Sequence, residues 1–245
     1  MPKPTFLNLP EDKRERIVDL AIEEFSDKPY AQASISNIVA RAGIAKGSFY
    51  QYFEDKLDLY RWLLLDVAAH RKLAYVEAHM PAQSADMFEV LEQMMGAGIE
   101  FGIENPRLSR VAEWTFHQSP DPDLTAFVKE VEALGAENFR RFLEQARERG
   151  ELRTGLDLDL AGAMIGSMLG KGLDIAMKRR FGFDLWELCT KPRLARKISK
   201  TERARLAHDV AELLRHALGS GRASGGARFN PDDQRGLLES ALERA

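Results

Sequence analysis

Residues Ser34 to Leu59 read SISNIVARAGIAKGSFYQYFEDKLDL. In this stretch Ile35, Ile38, Val39 and Ala42 recur three and four apart, so they line one face of a helix predicted over Ile35–Ala42. Ser34 is a natural N-cap, since its hydroxyl can accept from the free amides of the first turn. Gly43 is a natural stop, because helices commonly end on a left-handed residue that glycine adopts without strain. A second short helix is predicted over Lys46–Tyr52. Two short helices around a turn of about four residues have helix-turn-helix spacing. Ala42 and Gly43 are small where the helices approach, Ile44 fills the corner, and Phe49 and Phe53, four apart, face inward.

The outer face of the second helix is left with Lys46, Gly47, Ser48, Tyr50, Gln51 and Tyr52. None is acidic. Lysine and hydroxyl groups suit phosphate oxygens, glutamine suits an adenine edge, and tyrosine suits a phosphate or a thymine methyl. Gly47 leaves no side chain between the start of this helix and a sugar-phosphate backbone. Lys56 opens the next helix, whose first amides also favour a phosphate. Between Lys28 and Phe53 the bases Lys28, Arg41 and Lys46 have no acidic neighbour, whereas the flanking segments are acid-rich.

Upstream, Ile17, Leu20, Ala21, Ile22 and Phe25 form the stripe of a helix that Pro29 ends. Downstream, Asp55 caps a long helix predicted over Lys56–His79, closed by Pro81. Residues 85–218 read as further helices, with breaks at Asn105-Pro106, Ser119-Pro120-Asp121-Pro122, Gly150–Gly155, Gly182 and Lys191-Pro192. Residues 219–228 (GSGRASGGAR) are a Gly/Ser/Ala linker. A short amphipathic piece follows, with Leu237, Leu238, Ala241 and Leu242 on one side. The predicted architecture is all-α: a helix-turn-helix domain at 1–55, a larger helical domain at 56–218, and a tail at 219–245.

Composition narrows the class. The 245 residues are 44% hydrophobic and 30% charged, with a formal net charge of -3. That is ordinary for a soluble globular protein and argues against one that coats nucleic acid by charge alone. The one cysteine, Cys189, excludes an internal disulfide and fits a reducing cytoplasm. The opening MPKPTFLNLPEDKRER lacks the apolar run of a signal peptide. The least polar stretch, Leu160–Met177, is interrupted by Lys171 and Asp174. A membrane span needs about 20 apolar residues, so no membrane partner is expected.

The stretch resembles the TetR/AcrR family of transcriptional regulators. The resemblance rests on Ser34-Ile35, Ile38, Ala42-Gly43-Ile44, Lys46-Gly47-Ser48-Phe49-Tyr50, Tyr52-Phe53, Lys56 and Leu59. It implies a homodimer of all-helical subunits, with the second short helix of the motif in the major groove of a near-palindromic operator. The two heads would lie roughly 34–36 Å apart. It also implies a small-molecule effector that shifts the population toward a spacing unable to bind DNA. Carried over by position, Lys46, Ser48, Tyr50 and Tyr52 contact DNA, Lys56 holds a phosphate, and Ser34 and Ser36 sit near the backbone. Repression is the commoner behaviour of the family. Two positions depart from its pattern. Pro29 stands where glycine is common, and Asn37 stands where an acid usually completes the capping box and meets the helix dipole.

The larger domain offers two sets of candidates. Met94, Phe101, Arg110, Trp114, His117, Met164 and Met168 suit an apolar effector pocket with a few polar anchors; the same pattern fits a plain core. Gly162, Gly166 and Gly170 fall four apart, and Leu206, Val210, Leu213 and Leu214 line one side of the last long helix. These are candidates for a dimer interface, or for close packing inside one subunit. Enzyme chemistry has little support. His70, His79, His117, His208 and His216 show no metal spacing, and no serine sits in a nucleophile elbow. GAGIEFG at 96–102 has no strand before it to make a dinucleotide site. No cofactor is expected. A helical interaction module without DNA binding is the alternative, but it leaves the acid-free window unexplained.

Overall fold

Ile35–Ala42 and Lys46–Tyr52 are helices with the predicted bounds. The computed structural model describes residues 1–79, 86–117 and 122–221. Among them the helices are α1 (Pro4–Leu7), α2 (Glu11–Asp27), α3 (Ile35–Ala42), α4 (Lys46–Tyr52), α5 (Lys56–Trp62), α6 (Ala69–His79) and α7 (Met87–Glu104). They continue as α8 (Pro106–His117), α9 (Pro122–Glu148), α10 (Leu158–Ser167), α11 (Leu173–Phe181), α12 (Leu185–Thr190) and α13 (Lys200–Leu218). Wide π turns at Leu63–Ala68 and Met168–Gly172 join α5 to α6 and α10 to α11. Extended pairing among the described residues is limited to one isolated bridge, Leu152 with Gly219. Pro81, Ser119, Pro120 and the amphipathic piece at Leu237–Leu242 lie outside the described residues.

The chain divides into two compact units. One is Met1–Arg71 with Asn105–Glu130; the other is Lys72–Glu104 with the chain from Val131 onward. The expected boundary at residue 55 falls inside the first of these units. α8, which the sequence places far from the helix-turn-helix, packs on α2. The cause is a buried polar and aromatic seam. Tyr60, 1% exposed, donates through its hydroxyl to the Val111 carbonyl at 3.1 Å and meets Thr115 Oγ1 at 3.0 Å. Burial pushes this phenol up to about 12, so it stays a neutral donor. The Trp114 indole donates to the Ser26 carbonyl at 3.2 Å. Ile17, Ala21 and Phe25 of α2 are buried, as are Ile38, Val39, Phe49, Phe53 and Leu59, and α2 packs on α3 and α3 on α4.

The second unit is built on α7 against α13. Met87, Phe88, Leu91 and Met95 meet Ala207, Val210, Ala211 and Leu214 in a core completed by Phe142, Leu143 and Ile165. Leu206 belongs to an adjoining cluster with Ile99, Leu173 and Met177. Arg203 pins the two helices with a two-pronged bond to Glu100, at 2.6 and 3.1 Å, a geometry suited to its planar fork. Buried Glu151 accepts from the Met87 amide at 2.8 Å and so satisfies a free group of the α7 N-terminus. Ser199 and Glu202 form a reciprocal capping box at the start of α13.

This packing corrects part of the expected dimer interface. Leu206, Val210 and Leu214 are 2–3% exposed within a single chain, so they have no surface to offer a partner. Gly162 and Gly166 face Phe139 of α9, and a Cβ at Gly162 would come within 3.4 Å of the Phe139 Cβ. Their smallness serves packing inside one subunit. Gly170 and Leu213 do point away from the core, with Leu213 62% exposed. Leu160, Met164 and Ile175 of α10 and α11 are likewise apolar and turned outward. The helix Leu158–Phe181 is 24 residues long and its most apolar 18-residue window has a mean hydropathy of 1.2, long and apolar enough by composition alone to cross a membrane. Only 28% of its apolar window is buried within the chain.

Candidate nucleic-acid interface

α3 and α4 owe their bounds to local chemistry. The Ser34 hydroxyl accepts from the Asn37 amide, and Gly43 adopts φ 70° at the end of α3, where its amide and that of Ile44 return to Ala40 and Val39. α4 is anchored from within. Phe49 is 2% exposed, stacks on Phe53 at 5.8 Å and meets the edge of Tyr50 at 5.2 Å. No side chain caps the α4 N-terminus, where Ala45 is the cap residue. The Ser48 amide returns to the Ala45 carbonyl at 2.9 Å. Gly47 has an unstrained φ, and an added Cβ would meet nothing within 4 Å. No contact among the described residues demands a glycine there.

The outer face carries Ser36, Lys46, Gly47, Tyr50 and Gln51, all exposed, with Ser48 half-buried beside them. Tyr50 is 50% exposed although its aromatic neighbours are buried. Lys46 makes no ion pair among the described residues. The other two bases of the acid-free window are neutralised, Arg41 by Glu23 and Lys28 by Glu24 at 2.7 Å.

Two expected contacts are corrected. Tyr52 is 7% exposed and packs against Phe6 at 5.7 Å, so its ring serves the core. The Lys56 ammonium turns inward, donating to the Tyr30 carbonyl at 2.8 Å and lying 4.3 Å from the Tyr30 ring centroid. Asp55, not an outside anion, caps that helix by accepting from Asp58. Ser34 is half-buried, with its hydroxyl engaged in capping.

The acid missing at Asn37 is supplied from elsewhere, a point the sequence reading did not reach. Glu24 of α2, 6% exposed, accepts through Oε1 from the Ser34 amide at 2.9 Å and the Asn37 side-chain amide at 3.3 Å. The same oxygen accepts from Lys28. Burial alone raises its pKa, but the bonds from Lys28, Ser34 and Asn37 outweigh that and hold the carboxyl below its ordinary value. A signal was present: residue 24 is three beyond Ala21 and seven beyond Ile17, so this acid lies on the apolar stripe of α2. Pro29 causes no disruption, because α2 ends at Asp27 and Lys28 is extended, as a residue before proline prefers.

The effector candidates are divided between the two units. Met94 and Met168 pack against the same core of the second unit. Phe101 is buried beside Tyr75 at 5.6 Å, and Met164 is 39% exposed. Arg110 and Trp114 lie in the first unit, where Arg110 approaches Asp27 at 3.7 Å. The side chain of His117 lies outside the described residues. A shallow groove of about 270 Å³ in the second unit is lined by Tyr75, His79, Gly96, Glu100, Glu104 and Lys200. It is a mixed-charge surface feature rather than an apolar pocket. Among the described residues no three His, Cys, Asp or Glu side chains come together to hold a metal.

Residues 17–62 match the model of bacterial regulatory proteins of the tetR family. A TetR family transcriptional regulator from Chloroflexus aurantiacus is 32% identical, with 89% of this chain and 99% of that chain covered at a TM-score of 0.62. The HTH-type transcriptional repressor BepR of Brucella suis is 25% identical over 71% of this chain and 85% of its own length. The regulator FadR from Bacillus subtilis, solved with stearoyl-CoA, shares the fold at a TM-score of 0.57 and 22% identity, over 82% of this chain and 96% of its own. With an acid-free exposed face on an all-helical frame, and a relative of this identity matched over nearly its whole length, the chain belongs to the TetR family of bacterial transcriptional regulators.

Proposed function

We propose that the protein is a dimeric repressor of the bacterial cytoplasm that reads a near-palindromic operator through α4 and is released by a small-molecule effector. One observation carries the reading: Lys46, Gly47, Tyr50 and Gln51 form an exposed, acid-free face on a helix whose opposite face is locked into the core by Phe49. Ser36 and Ser48 flank that face and suit the phosphate backbone.

A second copy of the chain is the occupant proposed for the outward apolar face of α10 and α11. Along this face Ala163, Ser167 and Gly170 are exposed and small, so another helix can approach closely. Asp159, Lys171 and Lys178 stand exposed on the same helix, where lipid would penalise each charge. We infer an effector site in the second unit, where the partly buried Met94 and Met168 are the candidate wall residues. The stearoyl-CoA complex of FadR supports an amphipathic ligand of that kind.

Selection of duplexes from a random library tests the reading. An inverted repeat should be enriched, with affinity falling steeply as salt rises. Lys46→Ala is expected to weaken binding to all sequences alike and to reduce the salt slope by about one, as loss of a single phosphate contact does. Tyr50→Ala is expected to cost about 1–3 kcal/mol and to relax discrimination at one position of each half-site. Enrichment of nothing by a folded dimer would leave a helical ligand-binding module without DNA recognition.

A further inference from the structure

We propose that residues 3–9 are part of the DNA-reading head, a latch that closes the C-terminal end of the recognition helix α4 and fixes the pose of Tyr50 and Gln51. The proposal rests on the reading that α4 contacts DNA. It starts from a complete account of backbone groups. A helix leaves its last four carbonyls without partners inside the helix. In α4 these are the carbonyls of Phe49, Tyr50, Gln51 and Tyr52. The first accepts from the Phe53 amide at 2.9 Å. The other three are taken by the N-terminal segment. Lys3 Nζ donates to Tyr50 at 3.0 Å, the Thr5 hydroxyl donates to Gln51, and the Lys3 amide donates to Tyr52 at 2.8 Å.

Geometry and charge agree with this closure. The Lys3 ammonium stands at the negative end of the α4 dipole, where a cation is favoured, and is 2.9 Å from Glu54. α1 follows at once and drives Phe6 to 0% exposure among Phe53 at 4.8 Å, Trp62 at 5.2 Å and Tyr52. The far end of the segment is tied down as well, since Arg14 donates to the Leu7 carbonyl at 2.9 Å. This explains why Tyr52, next to the reading face, is turned inward: its ring is the floor on which Phe6 rests. The segment lies wholly outside the residues that match the family, 17–62. It is an addition to the motif that acts on the reading residues through their own backbone. A seven-residue helix is too short to hold its last turn by propagation alone, so the latch supplies what length does not.

Thr5→Val removes one donor and no charge, whereas Thr5→Ser keeps the hydroxyl. The probes are the duplex that the wild-type protein selects from a random library and a scrambled duplex of equal length. Thr5→Val should bind the selected duplex about ten-fold more weakly, the scale of one lost hydrogen bond. Thr5→Ser should bind as wild type, with the scrambled duplex and the salt slope unchanged for both. Amide exchange without DNA should quicken over residues 50–53 in Thr5→Val and not in Thr5→Ser. Wild-type exchange and affinity in Thr5→Val would overturn the latch. So would a fall of about one in the salt slope of Lys3→Met, because Lys3 would then be a phosphate contact in its own right. If the wild type selects no duplex, the DNA reading fails, and amide exchange still decides whether the segment holds α4.

Discussion

Glu24→Ala is expected to destabilise the helix-turn-helix unit by about 2–3 kcal/mol. One buried carboxylate oxygen serves the Ser34 amide, the Asn37 side chain and Lys28. Its removal leaves the Ser34 amide without its acceptor at the entry to α3. The Lys28 pair contributes little of the loss, because that ammonium is 38% exposed. Chemical denaturation of the full chain measures the effect, and selected-duplex binding should weaken in step as the start of α3 frays. A double variant separates this account from general damage. In Glu24→Ala/Asn37→Glu the carboxylate moves to the capping-box position three residues after Ser34. It should recover about 1 kcal/mol, the usual worth of such a cap. No recovery would mean that Glu24 acts by filling space rather than by accepting bonds.

The same group sets a pH dependence of known sign. Its folded pKa is held below the unfolded value. The folded state therefore favours the charged form, and the stabilisation is fully present above the unfolded pKa, about 4.3 for glutamate. It is lost as pH falls below that value and through the folded pKa, because protonation then removes the acceptor. Glu24→Gln should remove this part of the acid sensitivity while keeping one acceptor oxygen. An acid-unfolding profile identical to wild type would sink the assignment.

Glu24 also marks the boundary of what the sequence displays. The bounds of α3 and α4 were legible because Ser34, Gly43 and the Phe49–Phe53 spacing act within a turn or two of themselves. Glu24 acts across ten residues, on a helix edge where periodicity reports only that an acid interrupts an apolar stripe. Lys56 and Tyr52 illustrate the complementary failure. Both match the motif by position, yet Lys56 has the Tyr30 carbonyl within reach and Tyr52 has Phe6 above it. Either competitor is visible only once α1 and the 30–33 turn are placed. The glycines of α10 and the leucines of α13 were ambiguous for a related reason. Small-residue and apolar spacing describe a face, and the sequence does not say whether the neighbour on that face is Phe139 of the same chain or another copy. Arg110 and Trp114 went to the other unit because α8 is far from α2 in sequence and adjacent in space.

Ile175→Glu is expected to convert the protein to a folded monomer and to abolish tight operator binding. Ile175 is 53% exposed on α11, and Leu160 at 62% and Met164 at 39% extend the same outward face along α10. α11 packs against α13, whose Leu213 points outward at 62% exposure while Val210 and Leu214 are buried. A surface this apolar calls for a partner. In a twofold interface each substitution occurs twice, so one glutamate per chain places two like charges in the contact. At about 3 kcal/mol or more per buried unpaired charge, the pair costs about four decades in the dimer dissociation constant. The monomer retains one reading helix and one half-site, so operator affinity should collapse although Lys46 and Tyr50 are untouched. Sedimentation with and without the selected duplex reads both effects, and Leu213→Glu should behave alike if α13 shares the contact. A variant that stays dimeric places the interface elsewhere on the second unit. A monomeric variant that still binds the full operator tightly would show that the heads read DNA without being paired. Flotation of the wild type with lipid vesicles, lost in Ile175→Glu, would instead give this face to a membrane. The exposed Lys171 of the same helix, and the surface pairs that its Asp159 makes with Arg140 and its Lys178 with Glu187, argue against that result, since hydrocarbon penalises every one of these charges.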